Sequence, residues 1–414
     1  MMGKLIAIIV IVLGVVALAQ LIRIYELNSK LRNSGENEVI NRDNKLNGKL
    51  MLAFMAFFFL GFIYLMSEYG WTGRGVAASV HGRDLDSLLN LNFIIIIIVF
   101  FLTNFLLFFF AYKYTRKPGV AAFYYPHNNK LEMLWTVVPA AVLAVIIILG
   151  LKTWNSVTDN AKKESIRVEL FSKQFDWTAR YSGQDNTLGY FDYKLTTANN
   201  ELALLTSNTI DSAIFEMEDG LSGIKALESK LNDNTIMLVP EEKEKMIVDL
   251  DRKERLIRLL YQMKARHNKK VDAFAWDDII QKDTLYLCEN KEYEFNFRAK
   301  DVIHSAHFPH FRAQMNTVPG LTTRFKFTPD ITTKEMRVIK QNNKFNYVLL
   351  CNKICGGAHY KMKMIIVVLP EGEYNSWMKA KMATATFKHN YFPVVSSQAA
   401  PAEKTTDTTA VADK

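Results

Sequence analysis

The chain has 414 residues, 49% of them hydrophobic, and a formal net charge of +9. That length allows two or three domains, and most of the apolar mass lies in the first 153 residues. Much of the positive excess falls in two short loops between apolar runs. No basic patch interleaved with aromatics occurs elsewhere, so no nucleic-acid partner is expected.

Four apolar runs come first: 4–22 (KLIAIIVIVLGVVALAQLI), 50–66 (LMLAFMAFFFLGFIYLM), 92–112 (NFIIIIIVFFLTNFLLFFFAY) and 132–152 (EMLWTVVPAAVLAVIIILGLK). The last two are long enough to cross a hydrocarbon core of about 30 Å as helices. The second is slightly short but is flanked by Lys49 and Glu68, as a span would be. The first also fits a secretory signal, with Lys4, an apolar stretch and Ala17-Leu18-Ala19 as a small-residue cleavage site. Charge placement favours keeping it. Loop 23–49 carries Arg23, Lys30, Arg32, Arg42, Lys45 and Lys49, and loop 113–131 carries Lys113, Arg116, Lys117 and Lys130. The positive-inside tendency places both in the cytoplasm and residues 153 onward outside. Four retained spans, with both termini outside, satisfy this; cleavage after the first would leave loop 23–49 outside. The expected transmembrane region is therefore 1–153.

After Trp154 the pattern changes to short alternating runs. Segments 165–181 (SIRVELFSKQFDWTARY), 284–308 (TLYLCENKEYEFNFRAKDVIHSAHF), 323–330, 345–351 and 362–370 are rich in β-branched and aromatic residues and predict strands of an all-β sandwich or barrel. Between the first two groups, 210–231 places Ile210, Ile214, Met217, Leu221, Ile224, Leu227 and Leu231 on one helix face. Residues 241–266 follow Pro240, a good helix opener, with a second stripe of Met246, Leu250, Ile257, Leu260 and Met263. The pair predicts a helical hairpin inserted at about 195–280. Its stripes can pack on each other and the sandwich, or can offer a docking surface to another subunit. Residues 383–414 are small, polar and aperiodic, and are expected to be a disordered tail after an extramembrane domain of 155–382.

Two of the three cysteines stand four apart in "CNKICGGAHYKM" (351–362), with a histidine and a methionine beside them. Cys351, Cys355, His359 and Met362 form a soft ligand set. Thiolates and a thioether select copper, whereas zinc usually takes four Cys/His ligands and has little use for methionine. A Cys351–Cys355 disulfide is the alternative outside the cytoplasm, but it leaves the histidine and methionine without a role. Cys288 lies apart in a strand and reads as a small buried apolar side chain. A loop with Cys, His and Met between two strands is how cupredoxin sandwiches hold copper, and the first histidine then comes from an earlier strand. Here the candidate is His304 in "DVIHSAHFPHF". One thiolate serves a single copper; two can bridge a pair. The expected fold is N-terminal transmembrane α-helices plus an all-β cupredoxin-like sandwich with the helical hairpin insertion.

"DVIHSAHFPHFRAQMNTVPG" followed by "CNKICGGAHYKM" resembles subunit II of haem-copper cytochrome c oxidases, whose extramembrane domain carries the dinuclear CuA centre. "NNKLEMLWTVVPAAVL" (128–143) is similar to the start of the family's second transmembrane helix, and "KQFDWTARY" (173–181) to its aromatic segment beside the copper. The likeness covers roughly 90–195 and 280–382. It implies copper ligation by the side chains of His304, Cys351, Cys355, His359 and Met362, with Cys351 and Cys355 bridging both metals and Lys353 contributing its backbone carbonyl. The family has glutamate at Lys353, which also reaches a magnesium ion, and commonly aspartate at Asn316. Lysine cannot do this, so ligation of magnesium by this chain is not expected. Phe175 stands where the family has the tryptophan credited with accepting the electron, and Trp177 matches the second tryptophan; a buried strand aromatic is the plain alternative for Trp177. Glu132 matches a glutamate at the mouth of a proton channel, although an acid at a helix N-terminus is also favoured by the helix dipole.

The resemblance implies a cytochrome-c oxidase in which haem and CuB reside only in subunit I. The sequence has no CxxCH, so no covalent haem c is carried on this chain. The implied partners are subunits I and III and, as donor, cytochrome c or a membrane-bound cytochrome c, which can be part of a supercomplex. The implied setting is the inner (cytoplasmic) membrane of a bacterium, with the copper domain on the periplasmic side. A quinol oxidase subunit II shares the fold but lacks the copper ligands, so the five matching side chains argue against it. Two other readings remain open: a CuA-containing nitric oxide reductase subunit, or an assembly or scaffold subunit with a vestigial metal loop. His307 and His310 are read as ordinary polar residues near the site or as groups tuning it.

Overall fold

The computed structural model describes residues 2–31, 41–70, 74–117, 119–233 and 235–392. It divides into two units, one of residues 1–74 and 89–146, the other of 75–88 and 147–414.

The first unit is helical: α1 (Met2–Leu31), α2 (Asn41–Tyr69), most of α3 (Val80–Lys113) and the first part of α4 (Asn129–Thr158). Among the described residues, three helices are long and apolar enough to cross a membrane: Asp43–Tyr69, Val80–Lys113 and Asn129–Thr158. The expected span 4–22 falls within α1, although its side chains up to residue 12 lie outside the described residues. Helices α2 and α3 meet through phenylalanines: Phe62 stacks on Phe100 at 4.7 Å and Phe59 packs edge-on to Phe101 at 4.7 Å.

The second unit is a sandwich of two five-stranded sheets. Its strands are β1 (Ile166–Lys173), β2 (Asp176–Tyr181), β3 (Ile279–Lys282), β4 (Thr284–Cys288), β5 (Tyr293–Ala299), β6 (His304–Phe308), β7 (Ala313–Thr317), β8 (Thr323–Phe327), β9 (Tyr347–Cys351) and β10 (Lys363–Leu369). One sheet runs β3-β2-β1-β5-β8 and the other β4-β10-β9-β6-β7. Alternation explains the core. Val168 and Leu170 of β1, Trp177 and Ala179 of β2, and Phe295 and Phe297 of β5 point inward. Leu349, Met364, Ile366 and Val368 meet them from the other sheet. This is the expected cupredoxin-like sandwich.

The outer face of the first sheet is buried as well, because the insertion covers it. Glu169, one residue out of phase with the core, takes two charge-assisted bonds each from Arg180 and Arg298, the shortest at 2.6 Å. Arg180 also pairs with Asp278 at 2.5 Å and donates to the Gly189 carbonyl, while Arg298 donates to the Leu202 carbonyl. Burial alone would raise the Glu169 pKa, but the two guanidinium charges outweigh it and hold the carboxyl down at about 2. Asp278 goes the other way: burial pushes it up to about 7 in spite of Arg180.

The insertion departs from the expected two-helix hairpin. It contains α5 (Ser207–Glu218), α6 (Ile224–Asn232), α7 (Pro240–Arg266) and the short α8 (Asp272–Trp276). The stripe over 210–231 is not one helix but two, because Asp219-Gly220 and Gly223 interrupt it, with the Gly220 and Gly223 amides closing turns on Phe215 and Gly220. The helices share a small core of Leu195, Ile210, Ala213, Ile214, Ile257 and Leu260.

Two further expectations are corrected. Residues 75–88, assigned from sequence to the transmembrane region, belong to the β unit. Ser79 forms a bridge with Pro329, the Ala78 amide donates to the His310 carbonyl, and Arg312 pairs with Asp86 at 3.1 Å. The expected tail from 383 begins too early. After α9 (Thr333–Ile339) and α10 (Glu371–Thr384), α11 (Phe387–Tyr391) is capped by Thr386 and Phe387 stacks on Trp276 at 5.3 Å. The rest of that segment, from 393, lies outside the described residues.

Candidate metal centre

His304 is the first residue of β6 and Cys351 the last of β9, and these two strands are neighbours, with Ala306 opposite Cys351. The loop between β9 and β10 folds back at once: the Cys351 amide bonds to the Met362 carbonyl and the His359 amide to the Gly356 carbonyl. This brings Cys355 to His304 and Cys351, their donor atoms all within 4.8 Å of one another, and sets His359 and Met362 against Cys355. Cys351 Sγ lies 3.9 Å from His304 Nδ1 and 3.8 Å from Cys355 Sγ. Cys355 Sγ lies 3.5 Å from His359 Nδ1 and 3.8 Å from Met362 Sδ. The Lys353 carbonyl is 3.2 Å from Cys351 Sγ, while its side chain is exposed.

These spacings fit a metal. Bonds of about 2.3 Å to sulfur and 2.0 Å to nitrogen, at a near-tetrahedral angle, separate two sulfurs by roughly 3.8 Å and sulfur from nitrogen by about 3.6 Å. The thiols are free rather than joined, so the disulfide alternative is not what the fold presents. His304, Cys355 and Met362 are buried, Cys351 and His359 half-buried. Burial and the neighbouring Cys351 thiol push the Cys355 thiol up to about 11. A cation must therefore displace the Cys355 proton for that sulfur to act as a thiolate.

Trp177 is fully buried and lies edge-on to His304 at 6.3 Å between ring centroids. Phe175 is at the surface, over Gly356. Glu132 belongs to the helical unit, where its Oε1 accepts from the Asn128 amide at 3.3 Å and so completes the N-terminal cap of α4. His310 lies beyond the strand that carries His304, because β6 ends at Phe308 and a 3-10 turn begins at Pro309. His310 instead packs edge-on against Phe345 and Tyr347. Burial first, then Lys340 and Arg312, lower its pKa to about 4. Cys288 is buried, as expected.

Sequence reasoning passed over two residues that touch the ligands: Asp301, bonded to His304 Nε2 at 2.9 Å, and Gln174, whose side chain donates to the Cys355 carbonyl. Burial opposes ionisation of Asp301, but the amides of Gln174 and Val302 and the His304 ring outweigh it and hold its carboxyl below the ordinary range. The three-residue spacing of Asp301 and His304 was the available signal.

A sandwich that gathers two thiols, two imidazoles and a thioether at one end, on a chain with helices long and apolar enough to cross a membrane, offers a donor set suited to a soft metal such as copper. Residues 70–153 match the sequence profile of the cytochrome c oxidase subunit II transmembrane domain. The alternative cytochrome c oxidase subunit 2 of Bradyrhizobium diazoefficiens is 22% identical over 323 residues, covering 78% of this chain and 87% of that one. Cytochrome c oxidase subunit 2 of Thermostichus vulcanus is 31% identical over 119 residues, covering 27% of this chain and 32% of that one. Among solved structures, the periplasmic domain of subunit II of cytochrome oxidase (CoxB) of Bradyrhizobium japonicum aligns at 14% identity over 54% of this chain and 98% of that one, with a TM-score of 0.26. Residues 70–153 thus carry the transmembrane-domain signature of cytochrome c oxidase subunit II, and most of the chain is similar to a subunit 2 protein. This similarity implies copper and association with subunit I in a membrane complex.

Proposed function

We propose that this chain is the electron-accepting subunit of a proton-pumping terminal cytochrome c oxidase. It takes electrons from a cytochrome c at a dinuclear CuA centre and delivers them to the haem of subunit I for oxygen reduction. His304, Cys351, Cys355, His359 and Met362 would hold the copper by side chain and Lys353 by its carbonyl. The observation that carries this reading is the convergence of those five side chains, with successive donor atoms 3.5 to 3.9 Å apart. When bound, the copper pair supplies a one-electron relay.

The chain's own residues do the rest. The sandwich keeps water from His304, Cys355 and Met362 and holds their geometry through the change of charge. Phe175 offers an exposed aromatic ring to the donor, and the buried Trp177 lies edge-on to His304. Glu132 stands at the start of α4 as the acid that passes protons to a channel in subunit I. Subunit III completes the complex, the run 4–22 forms a fourth span, and the copper domain faces the periplasm of a bacterial inner membrane.

The test is rapid mixing of the oxidised, purified complex with reduced cytochrome c in the absence of oxygen. Wild type should take up an electron before the haem is reduced, and Cys351→Ser should not, because a hydroxyl cannot bridge soft copper. Equal uptake by both would refute the assignment.

A further inference from the structure

His304 has two ring nitrogens, and only Nδ1 faces the sulfurs. Its Nε2 lies 2.9 Å from Asp301 Oδ1. A carboxylate accepts, so Nε2 carries the proton and the Nδ1 lone pair is left toward Cys351. Asp301 is itself pinned. Its Oδ2 accepts from the Gln174 amide at 2.7 Å and its Oδ1 from the Val302 amide at 2.7 Å.

Gln174 makes a second connection through its side chain, whose Nε2 donates to the Cys355 carbonyl. One residue thus reaches both halves of the donor set, through Asp301 to His304 and directly to Cys355. The two halves come from β6 and from the β9–β10 loop, in one sheet. Gln174 lies in the β1–β2 turn of the other sheet. The loop is shaped to admit it. A Cβ on Gly356 would stand 2.8 Å from Gln174 Nε2 and 2.9 Å from Phe175 Cζ, and Gly356 has φ +137, so only glycine permits this approach.

We propose that Gln174 and Asp301 are positioning residues for the metal centre: together they fix the His304 tautomer and the place of Cys355 before copper binds. The inference rests on the copper reading above. Partners of this kind orient ligating histidines in other metal proteins, and losing them typically costs about 10–100-fold in metal affinity. A merely structural tie between two loops would alter stability without touching the metal.

The experiment uses the full chain purified in detergent, as wild type, Asp301→Ala, Asp301→Asn and Gln174→Met, the last matching glutamine in length without its N–H. Gln314→Ala is the control, since Gln314 ties Ser305 to Asn352 without touching a ligand atom. Copper affinity is measured by chelator competition, together with the sulfur-to-copper absorption and the thermal midpoint. Asp301→Ala should bind copper roughly 10–100-fold more weakly, Asp301→Asn less so. Gln174→Met should keep its copper with shifted absorption bands, and Gln314→Ala should match wild type. If the three variants at Asp301 and Gln174 keep wild-type affinity and spectrum, whatever their thermal midpoints, the positioning role is overturned and the copper reading stands. If the wild type itself binds no copper, both fall.

Discussion

Deleting the helical insertion has two outcomes, depending on where the cuts fall. Residues 207–266 can be replaced by a short Gly/Ser link because both ends converge on one carboxylate. The Ser207 amide donates to Asp272 Oδ2 at 3.1 Å, and His267 Nε2 meets Asp272 Oδ1 at 2.5 Å. The main loss to the remaining domain is the cover over Leu195, fully buried in the small helical core, worth about 2–3 kcal/mol for one leucine. The wider deletion 195–280 removes the Asp278 partner of Arg180, the Leu202 carbonyl that Arg298 uses, and half of β3. Stripping partners from a buried ion pair costs about 3–5 kcal/mol, and losing an edge strand adds to it. Against a typical total of about 5–15 kcal/mol, the narrow deletion should fold and the wide one should not. Thermal unfolding and copper content of the two full-length variants provide the assay. If the narrow deletion unfolds or loses copper, the insertion is part of the domain's core and the boundary drawn here is wrong.

The buried charge cluster makes stability depend on pH in two opposed ways. Asp278, raised to about 7 from 3.8, binds its proton in the fold before the unfolded chain does, so stability falls as pH rises from about 4 to 7. Glu169, lowered from 4.5 to about 2, contributes stability above 4.5 that is lost as pH falls toward 2, roughly 3 kcal/mol in all. The unfolding midpoint should therefore peak near pH 4–5, and Asp278→Asn should flatten the limb above the peak; an unchanged limb would contradict the Asp278 assignment. Glu132→Gln keeps an acceptor for the Asn128 amide but removes the ionisable acid. It should slow turnover while leaving reduction by cytochrome c fast, and unchanged turnover would leave Glu132 as a helix cap alone.

The candidate metal loop could be read from the sequence because four of its proposed ligands lie within twelve residues, and local spacing carries the whole signal. The strands were legible for a similar reason, since Tyr293, Phe295 and Phe297 alternate with polar residues. Contacts between distant segments were not. Nothing in 75–88 alternates or repeats, and its place in the β unit depends on His310, Arg312 and Pro329, more than 200 residues later. Gln174 and Asp301 escaped for the same reason: each looks like an ordinary turn residue until β1–β2, β5–β6 and β9–β10 are brought to one end of the sandwich. The α5–α6 break shows a different limit, because an apolar stripe continues in register across glycines that the backbone does not cross as a helix.

Copper stoichiometry with electron paramagnetic resonance on the purified, oxidised full chain tests the central claim most directly. Cys351 and Cys355, with sulfurs 3.8 Å apart and histidines on either side, should hold two coppers sharing one unpaired electron. The spectrum should show hyperfine coupling to both nuclei, and Cys355→Ser should abolish it. A single copper per chain with a one-nucleus pattern, or no copper with the two thiols oxidised to a disulfide, would contradict the account.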